Sequence, residues 1–384
     1  MINVENKAKC SGCHACVSIC PKCCISMKRD EEGFLYPVVD ESACISCGLC
    51  EKVCPIINPK KIDKNKEDIK AYAAYTKNEE IRKKSSSGGI FTEIAAYIIN
   101  KGGVVFGASF DESWGVKHVC VDNIDDLSKF RGSKYVQSTI GNTYKEAKEY
   151  LDNGKMVLFT GTPCQIGGLY SYLNRDYDNL ITQDLICHGV PSPAVWEKYL
   201  EYQDKVHSGR KLQSIAFKSK KTGWKRYSMQ LCYDDDEYLV PVGKDYMLQV
   251  FLKNLCLRPS CYNCSFKTKI RQSDITLADF WGIENVLPNI DDDKGISLIL
   301  LNSKAGNKIF DEISSNIWQK DVDFEEGIKY NSSMIQSPTI HKKRESYMKC
   351  FDKYEFDVVA KRYLKKPLWI RMKQTARNFL KRGK

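Results

Sequence analysis

The sequence predicts an α/β protein with a mixed or largely parallel sheet, preceded by a small cysteine-rich α+β module. Three observations carry that prediction. Ten of the 18 cysteines fall within the first 54 residues. From Ala71 onward, apolar runs alternate with segments of helical periodicity, the pattern of an α/β sheet. Between the two, NPKKIDKNKEDIK (58–70) is rich in Lys and Asp and nearly free of apolar residues, the composition of a surface linker. The chain has 384 residues, more than one typical domain. It divides into a module (1–57), a linker (58–70), a large domain (71–340) and a basic, helical C-terminal tail (341–384).

With 42% hydrophobic and 28% charged residues the chain reads as globular. Its start is polar, and no apolar run approaches the roughly 18 residues of a membrane span. No secretory pattern is present, so a cytoplasmic location is expected. In a large chain of this kind, many cysteines point to metal or redox chemistry rather than to disulfides. The net charge of +11 is concentrated in residues 361–384, which hold ten Lys and Arg and no acid. The body is near neutral, which argues against a nucleic-acid partner.

The module carries Cys10-x2-Cys13-x2-Cys16-x3-Cys20-Pro21, and Cys44-x2-Cys47-x2-Cys50-x3-Cys54-Pro55 repeats it. This is the spacing of the bacterial two-cluster ferredoxin, whose close thiolates wrap one [4Fe–4S] cube while the fourth cysteine reaches the other. Cys10, Cys13, Cys16 and Cys54 are assigned to one cluster, and Cys44, Cys47, Cys50 and Cys20 to the second. Structural zinc is the alternative, but its sites usually come as paired CxxC motifs. GFLYPVV (33–39) reads as a short strand with Pro37 at an edge. Cys23 and Cys24 fall outside the ligand pattern, and core packing suits Cys24. Cys120, Cys232, Cys256 and Cys350 lack ligand spacing and default to small core residues.

In the large domain 104–110, 116–121, 156–161, 179–187 and 296–301 read as strands, and 90–100, 143–153, 164–174 and 194–203 as helices. Ligands of such sheets collect at turns on the carboxyl edge. SSSGGI (85–90) precedes a helix. Ser86, Ser87, Gly88 and Gly89 there form either a phosphate cradle for a nucleotide cofactor or an ordinary serine cap. RGSKYVQS (131–138) offers Arg131, Ser133 and Lys134 to a phosphate or a flavin ring, or is a solvated loop. In FTGTPCQIGGL (159–169), Thr160, Gly161 and Thr162 are candidate cofactor contacts. Thr162, Pro163 and Gln165 fit a capping box, which puts Cys164 in a first turn, where amides and helix dipole stabilise a thiolate. In DLICHGVPSP (184–193), Cys187 and His188 end a strand and Ser192-Pro193 caps the next helix. His188 is the candidate proton donor, although a His in that place is more often structural. RPSCYNCSF (258–266) supplies Cys261 and Cys264 as a CxxC, readable as a zinc half-site, a redox pair, part of an iron–sulfur site or two core cysteines.

SSSGGI, RGSKYVQS, FTGTPCQIGGL, DLICHGVPSP, LRPSCYNCSFK and ADFWGIEN (278–285), in this order, resemble the family of coenzyme F420 hydrogenase/dehydrogenase beta subunits over roughly residues 1–300. The resemblance implies a flavin-binding domain with FAD near SSSGGI and the 131–138 loop. It also implies a third [4Fe–4S] cluster held by Cys164, Cys187, Cys261 and Cys264. It further implies an oxidoreductase that passes electrons between a ferredoxin-like partner and an organic substrate or two-electron carrier. Some bacterial members are associated with surface-polysaccharide genes. Two competing readings are a non-catalytic electron-transfer adaptor and a polysaccharide-assembly protein with structural clusters.

In the tail, Leu364, Leu368, Met372, Ala376 and Leu380 recur every four residues among cations. That pattern suits either a helix packed on the body or contact with an anionic membrane at its inner face.

Overall fold

The computed structural model describes residues 1–60 and 69–365. In the N-terminal module β1 (Ile25–Arg29) and β2 (Leu35–Val39) pair antiparallel, with Ile25 opposite Val39. The strand expected at 33–39 is β2, and Pro37 lies in a two-stranded ribbon, where a missing N–H is tolerated. The cysteine repeat recurs in the backbone. Helices Ala15–Ile19 and Leu49–Lys52 each start from a left-handed residue, His14 (φ 64°) and Gly48 (φ 73°), and pack on each other.

The large domain adds β3 (Lys70–Thr76), β4 (Val104–Phe110), β5 (Val116–Val121), β6 (Val157–Thr160) and β7 (Leu180–Leu185). Then come β8 (Leu212–Ser219), β9 (Ser228–Tyr233), β10 (Glu237–Pro241), β11 (Ile275–Asp279), β12 (Ser297–Leu301) and β13 (Ile317–Val322). The central sheet runs β13-β3-β12-β11-β7-β6-β4-β5. It is parallel across β4, β6, β7 and β11 and antiparallel at both sides. All five strands and four helices read from the large domain's sequence are present, within three residues at each end. The continuous apolar runs, such as the fully buried SLILL of β12, suit strands covered on both faces.

Ile90, Ile94 and Ile98 of helix Ile90–Asn100 cover one face of the sheet with Val105, Leu158 and Ile299. On the other face Phe106 and Phe159 meet Tyr144, Ile166 and Leu169, and Cys13, Ala15 and Val53 of the module join the same cluster. The module is therefore packed into the core of the large domain.

A separate sheet, β10-β9-β8, packs against helix Pro193–Val206 and the C-terminal helices Arg344–Met348 and Phe356–Leu364. This corrects the boundary at 341. Tyr347, Met348, Phe351, Phe356 and Val359 are core residues, so the body runs on through Leu364. The amphipathic pattern and the membrane contact read from 361–384 lie, from residue 366 onward, outside the described residues, as do positions 61–68 of the linker. Among the described residues no helix is long and apolar enough to cross a membrane.

Candidate cluster and cofactor site

Of the eight motif cysteines, Cys13 and Cys50 are buried, Cys47 is exposed and the rest are half-buried. Burial, then the neighbouring Cys13, Cys10 and Cys54, push the Cys16 thiol up, so these four sulfurs share one locale. Cys13 is pushed up to about 12 by burial, with Cys10 and Cys54 adding to it. Cys20, Cys44, Cys47 and Cys50 line a second, smaller hollow together with Cys24. Cys50 Sγ accepts the Ile2 amide at 3.3 Å. Cys24 is buried beside Ile25 with its sulfur 3.4 Å from that of Cys20. Among the described residues no three His, Cys, Asp or Glu side chains converge on a single ion. A cube carries iron at separate corners, so its thiols gather without converging on one point.

A third quartet comes from distant segments. β6 ends at Thr160 and the next helix starts at Pro163, which puts Cys164 in its first turn, as the TPCQ pattern requires. The Gln165 side chain accepts the Thr162 amide at 2.9 Å. Cys187 follows the end of β7, Cys261 sits in the turn Pro259–Asn263, and Cys264 ends that turn. Burial, then Cys264, with Cys187 and Cys261, pushes the Cys164 thiol well up. The burial of Cys164 acts against the helix start, which favours a thiolate.

The surroundings of this quartet fit an anionic cluster. Arg271 is 2% exposed, and its Nε and Nη2 have no hydrogen-bond partner among the described residues. It lines the same cavity as the quartet. Lys267 Nζ donates to the carbonyls of Cys187 and Ser333. Arg271 Nη1 lies 3.7 Å from the Asp184 carboxylate, and the two remaining unpaired donors leave room for an acceptor such as cluster sulfur. One cavity of about 640 Å³ holds Cys164, Cys187, Cys261 and Cys264 together with Cys10, Cys13, Cys16 and Cys54.

A second cavity, of about 600 Å³, lies along the carboxyl edge of the sheet. Ser86, Ser87, Gly89, Arg131, Ser133, Lys134, Thr160, Gly161 and Thr162 line it. Gly88 does not, which corrects its assignment. Its amide donates to Ser297 Oγ, and a Cβ there would meet the Ala74 carbonyl at 2.4 Å. The serine cap is also absent, since Gly89, at φ 84°, is the N-cap. Ser86 Oγ instead accepts the Ser133 amide at 2.6 Å, tying the two loops together.

The lining is ready for a polar ligand. Burial lowers Lys134 to about 7, and its hydrogen bonds go to the carbonyls of Phe130 and Gly132. Gln183 Oε1 and His118 Nδ1 are buried without partners among the described residues. Both residues line the cavity, beside Tyr227 and Trp281. Sequence reasoning named neither Gln183 nor His118; the signal for Trp281 was its place in ADFWGIEN. His188 stands on the wall between the cavities, with Nε2 2.7 Å from Asn254 Oδ1 and Nδ1 3.3 Å from Ser333 Oγ. Burial lowers its pKa, although the Asn254 bond acts the other way, and both ring nitrogens have partners.

The comparisons with known proteins follow the same division. A 4Fe-4S dicluster domain matches residues 9–56. The N-terminal and C-terminal parts of the coenzyme F420 hydrogenase/dehydrogenase beta subunit match 71–143 and 154–324. An F(420)H(2) dehydrogenase subunit of Methanosarcina mazei is 26% identical over 170 residues, 41% of this chain and 46% of that protein. The coenzyme F420-dependent sulfite reductase of Methanocaldococcus jannaschii is 30% identical over 171 residues, 43% of this chain and 25% of that protein. The chain thus spans less than half the length of either relative. The F420-reducing [NiFe] hydrogenase complex from Methanosarcina barkeri includes a chain that is 21% identical with a TM-score of 0.46, covering 68% of this chain and 89% of that one. With a dicluster domain first and both parts of the beta subunit after it in order, the chain belongs to the family of coenzyme F420 hydrogenase/dehydrogenase beta subunits.

Proposed function

We propose that the chain is an iron–sulfur flavoprotein that passes electrons between a redox protein partner and an organic two-electron carrier. In this reading the cavity along the sheet edge binds FAD. Cys164, Cys187, Cys261 and Cys264 hold a cluster next to it, and the two N-terminal quartets hold the outer clusters. The observation that carries the reading is the shared wall. Thr162, Cys187, His188, Gly189 and Val190 line both cavities, and the cluster cavity already contains the Cys10 quartet.

Each residue then has a limited task. Arg131 and Lys134 would neutralise the cofactor's phosphates, Ser86 and Ser133 would hold the two loops in register, and Gln183 would accept a hydrogen bond from the ring system. FAD supplies the exchange between hydride and single electrons. The names of the relatives make a deazaflavin such as coenzyme F420 the first carrier to try. A second reading, a flavin-free electron-transfer subunit, draws on the M. mazei relative, which is named as one subunit of a dehydrogenase.

Anaerobic purification with iron, sulfide and flavin measured per chain separates these readings. About twelve irons with one FAD are expected from three four-iron clusters, and Cys261→Ser with Cys264→Ser should bring iron to about eight. Iron unchanged in that double variant would remove the third cluster from the scheme. A full iron complement without FAD would select the second reading.

A further inference from the structure

Arg258 lies three positions before Cys261, in the loop of the third quartet, and is fully buried. Its guanidinium reaches out of that loop into the N-terminal module. Nε donates to the Cys10 carbonyl at 2.8 Å, Nη2 to the Leu35 carbonyl at 3.0 Å, and Nη1 to Gln137 Oε1 at 2.9 Å. Nη2 also lies 3.6 Å from Cys10 Sγ. The Tyr36 ring covers the guanidinium, with its centre 4.2 Å from the central carbon. The cysteine run is shaped around this contact, because a Cβ on Gly12 would fall 2.9 Å from that same carbon. Gln137 bridges the two parts by donating to the Ser11 carbonyl at 3.2 Å.

Among the described residues no carboxylate pairs with Arg258. Of its hydrogen-bond partners, the Cys10 sulfur is the one whose charge becomes negative on metal binding. Burying a guanidinium with no counter-charge is unfavourable, so the fold tolerates it where an anion stands beside it. A cluster ligated by four thiolates is such an anion, and its reduction adds one more negative charge. A fixed cation at its ligand stabilises the reduced form, as do hydrogen bonds to cluster sulfur.

We propose that Arg258 is a positioning residue that raises the reduction potential of the cluster bound through Cys10, setting the driving force between that cluster and the one on its own loop. The inference rests on the ligand assignment above. The step concerned moves one electron from one cluster to the next, with no bond made or broken.

The test is an anaerobic redox titration of the full chain followed by electron paramagnetic resonance, with iron counted in each sample. In Arg258→Gln one midpoint should fall by about tenfold in the one-electron equilibrium, about 59 mV, while the others hold. Arg258→Lys keeps the charge and should restore most of that loss. Gln137→Glu leaves Arg258 in place but sets a carboxylate against it, and should lower the same midpoint. If Arg258→Gln loses iron, the Gln137→Glu titration decides alone. Unshifted midpoints in fully loaded variants overturn the inference. No reducible cluster in the unmodified chain overturns the ligand assignment, and this inference with it.

Discussion

Glu32 of the N-terminal module and Arg344 near the end of the body form a two-point ion pair, at 2.8 and 2.5 Å. Their side chains are 16% and 11% exposed, so water does little to screen the pair. Arg344 also donates to the Leu257 carbonyl at 2.8 Å, immediately before Arg258, and so joins the module to the loop of the third quartet. Arg344→Met leaves the Glu32 carboxylate in a largely desolvated place without its partner. Breaking a fully buried pair costs 3–5 kcal/mol, and the residual exposure here puts the loss at about 3 kcal/mol. The control is Arg29–Glu197, which also spans module and body with good geometry, at 2.6 and 2.8 Å, but is 48% and 47% exposed. Its loss should cost under about 1 kcal/mol.

The assay is urea unfolding under anaerobic conditions, run as a double-mutant cycle with Glu32→Gln and, for the control, Glu197→Gln. A coupling of about 2 kcal/mol or more at the buried pair, against a few tenths at the exposed one, is expected. Equal couplings would refute the claim that burial, rather than contact geometry, makes the first pair the stronger tie.

Two further predictions concern the cofactor cavity. Burial lowers His118 to about 4, against about 6.5 in an unfolded chain. Below pH 6.5 the unfolded state binds a proton that the folded state refuses, so stability falls with pH from about 6.5 down to about 4. His118→Gln should remove about 2 kcal/mol of that loss at pH 5, read from urea midpoints at pH 7 and 5; parallel slopes in the two proteins would contradict it. If the sheet-edge cavity binds FAD as proposed, Lys134→Met should weaken flavin retention at least tenfold with the iron count unchanged, since it removes a partly buried amine bonded to the carbonyls of Phe130 and Gly132. Flavin retained at the unmodified level would remove Lys134 from the site.

Features set by neighbours in the chain were legible in the sequence. The helix after β6 announces itself through Thr162-Pro163 and Gln165, which satisfy its first amides locally. The N-terminal motif is legible for the same reason, since a short run of chain supplies most of each ligand set. β3 was not read. KAYAAYT has few branched residues, yet it lies inside the sheet between β13 and β12, where long-range pairing decides. The β8–β10 sheet was missed similarly, because its apolar partners come from helix Pro193–Val206 and the C-terminal helices. The third quartet was reached only through resemblance, as no spacing rule makes residues 164, 187, 261 and 264 meet. Arg258 gave no signal, because an arginine before a proline reads as an exposed turn until its partners are in place.

The difficulty of reading the third quartet and Arg258 has one cause, and it bears on function. A module that folds by itself around its own repeats would need only surface contacts with a neighbour. Here Cys13, Ala15 and Val53 are part of the large domain's core, and a buried arginine from that domain reaches a ligand of the module's cluster. Interdomain contacts of the transient kind are more polar and permit motion. An apolar, interlocked contact would instead fix the separation and the electrostatics of the redox centres proposed above. A protein built to hand single electrons along a defined route gains from such rigidity, whereas an adaptor that docks and releases partners gains from its absence. On the proposed reading, the interlocking suits an internal relay, and the exposed Cys47 marks the cluster that would face a partner.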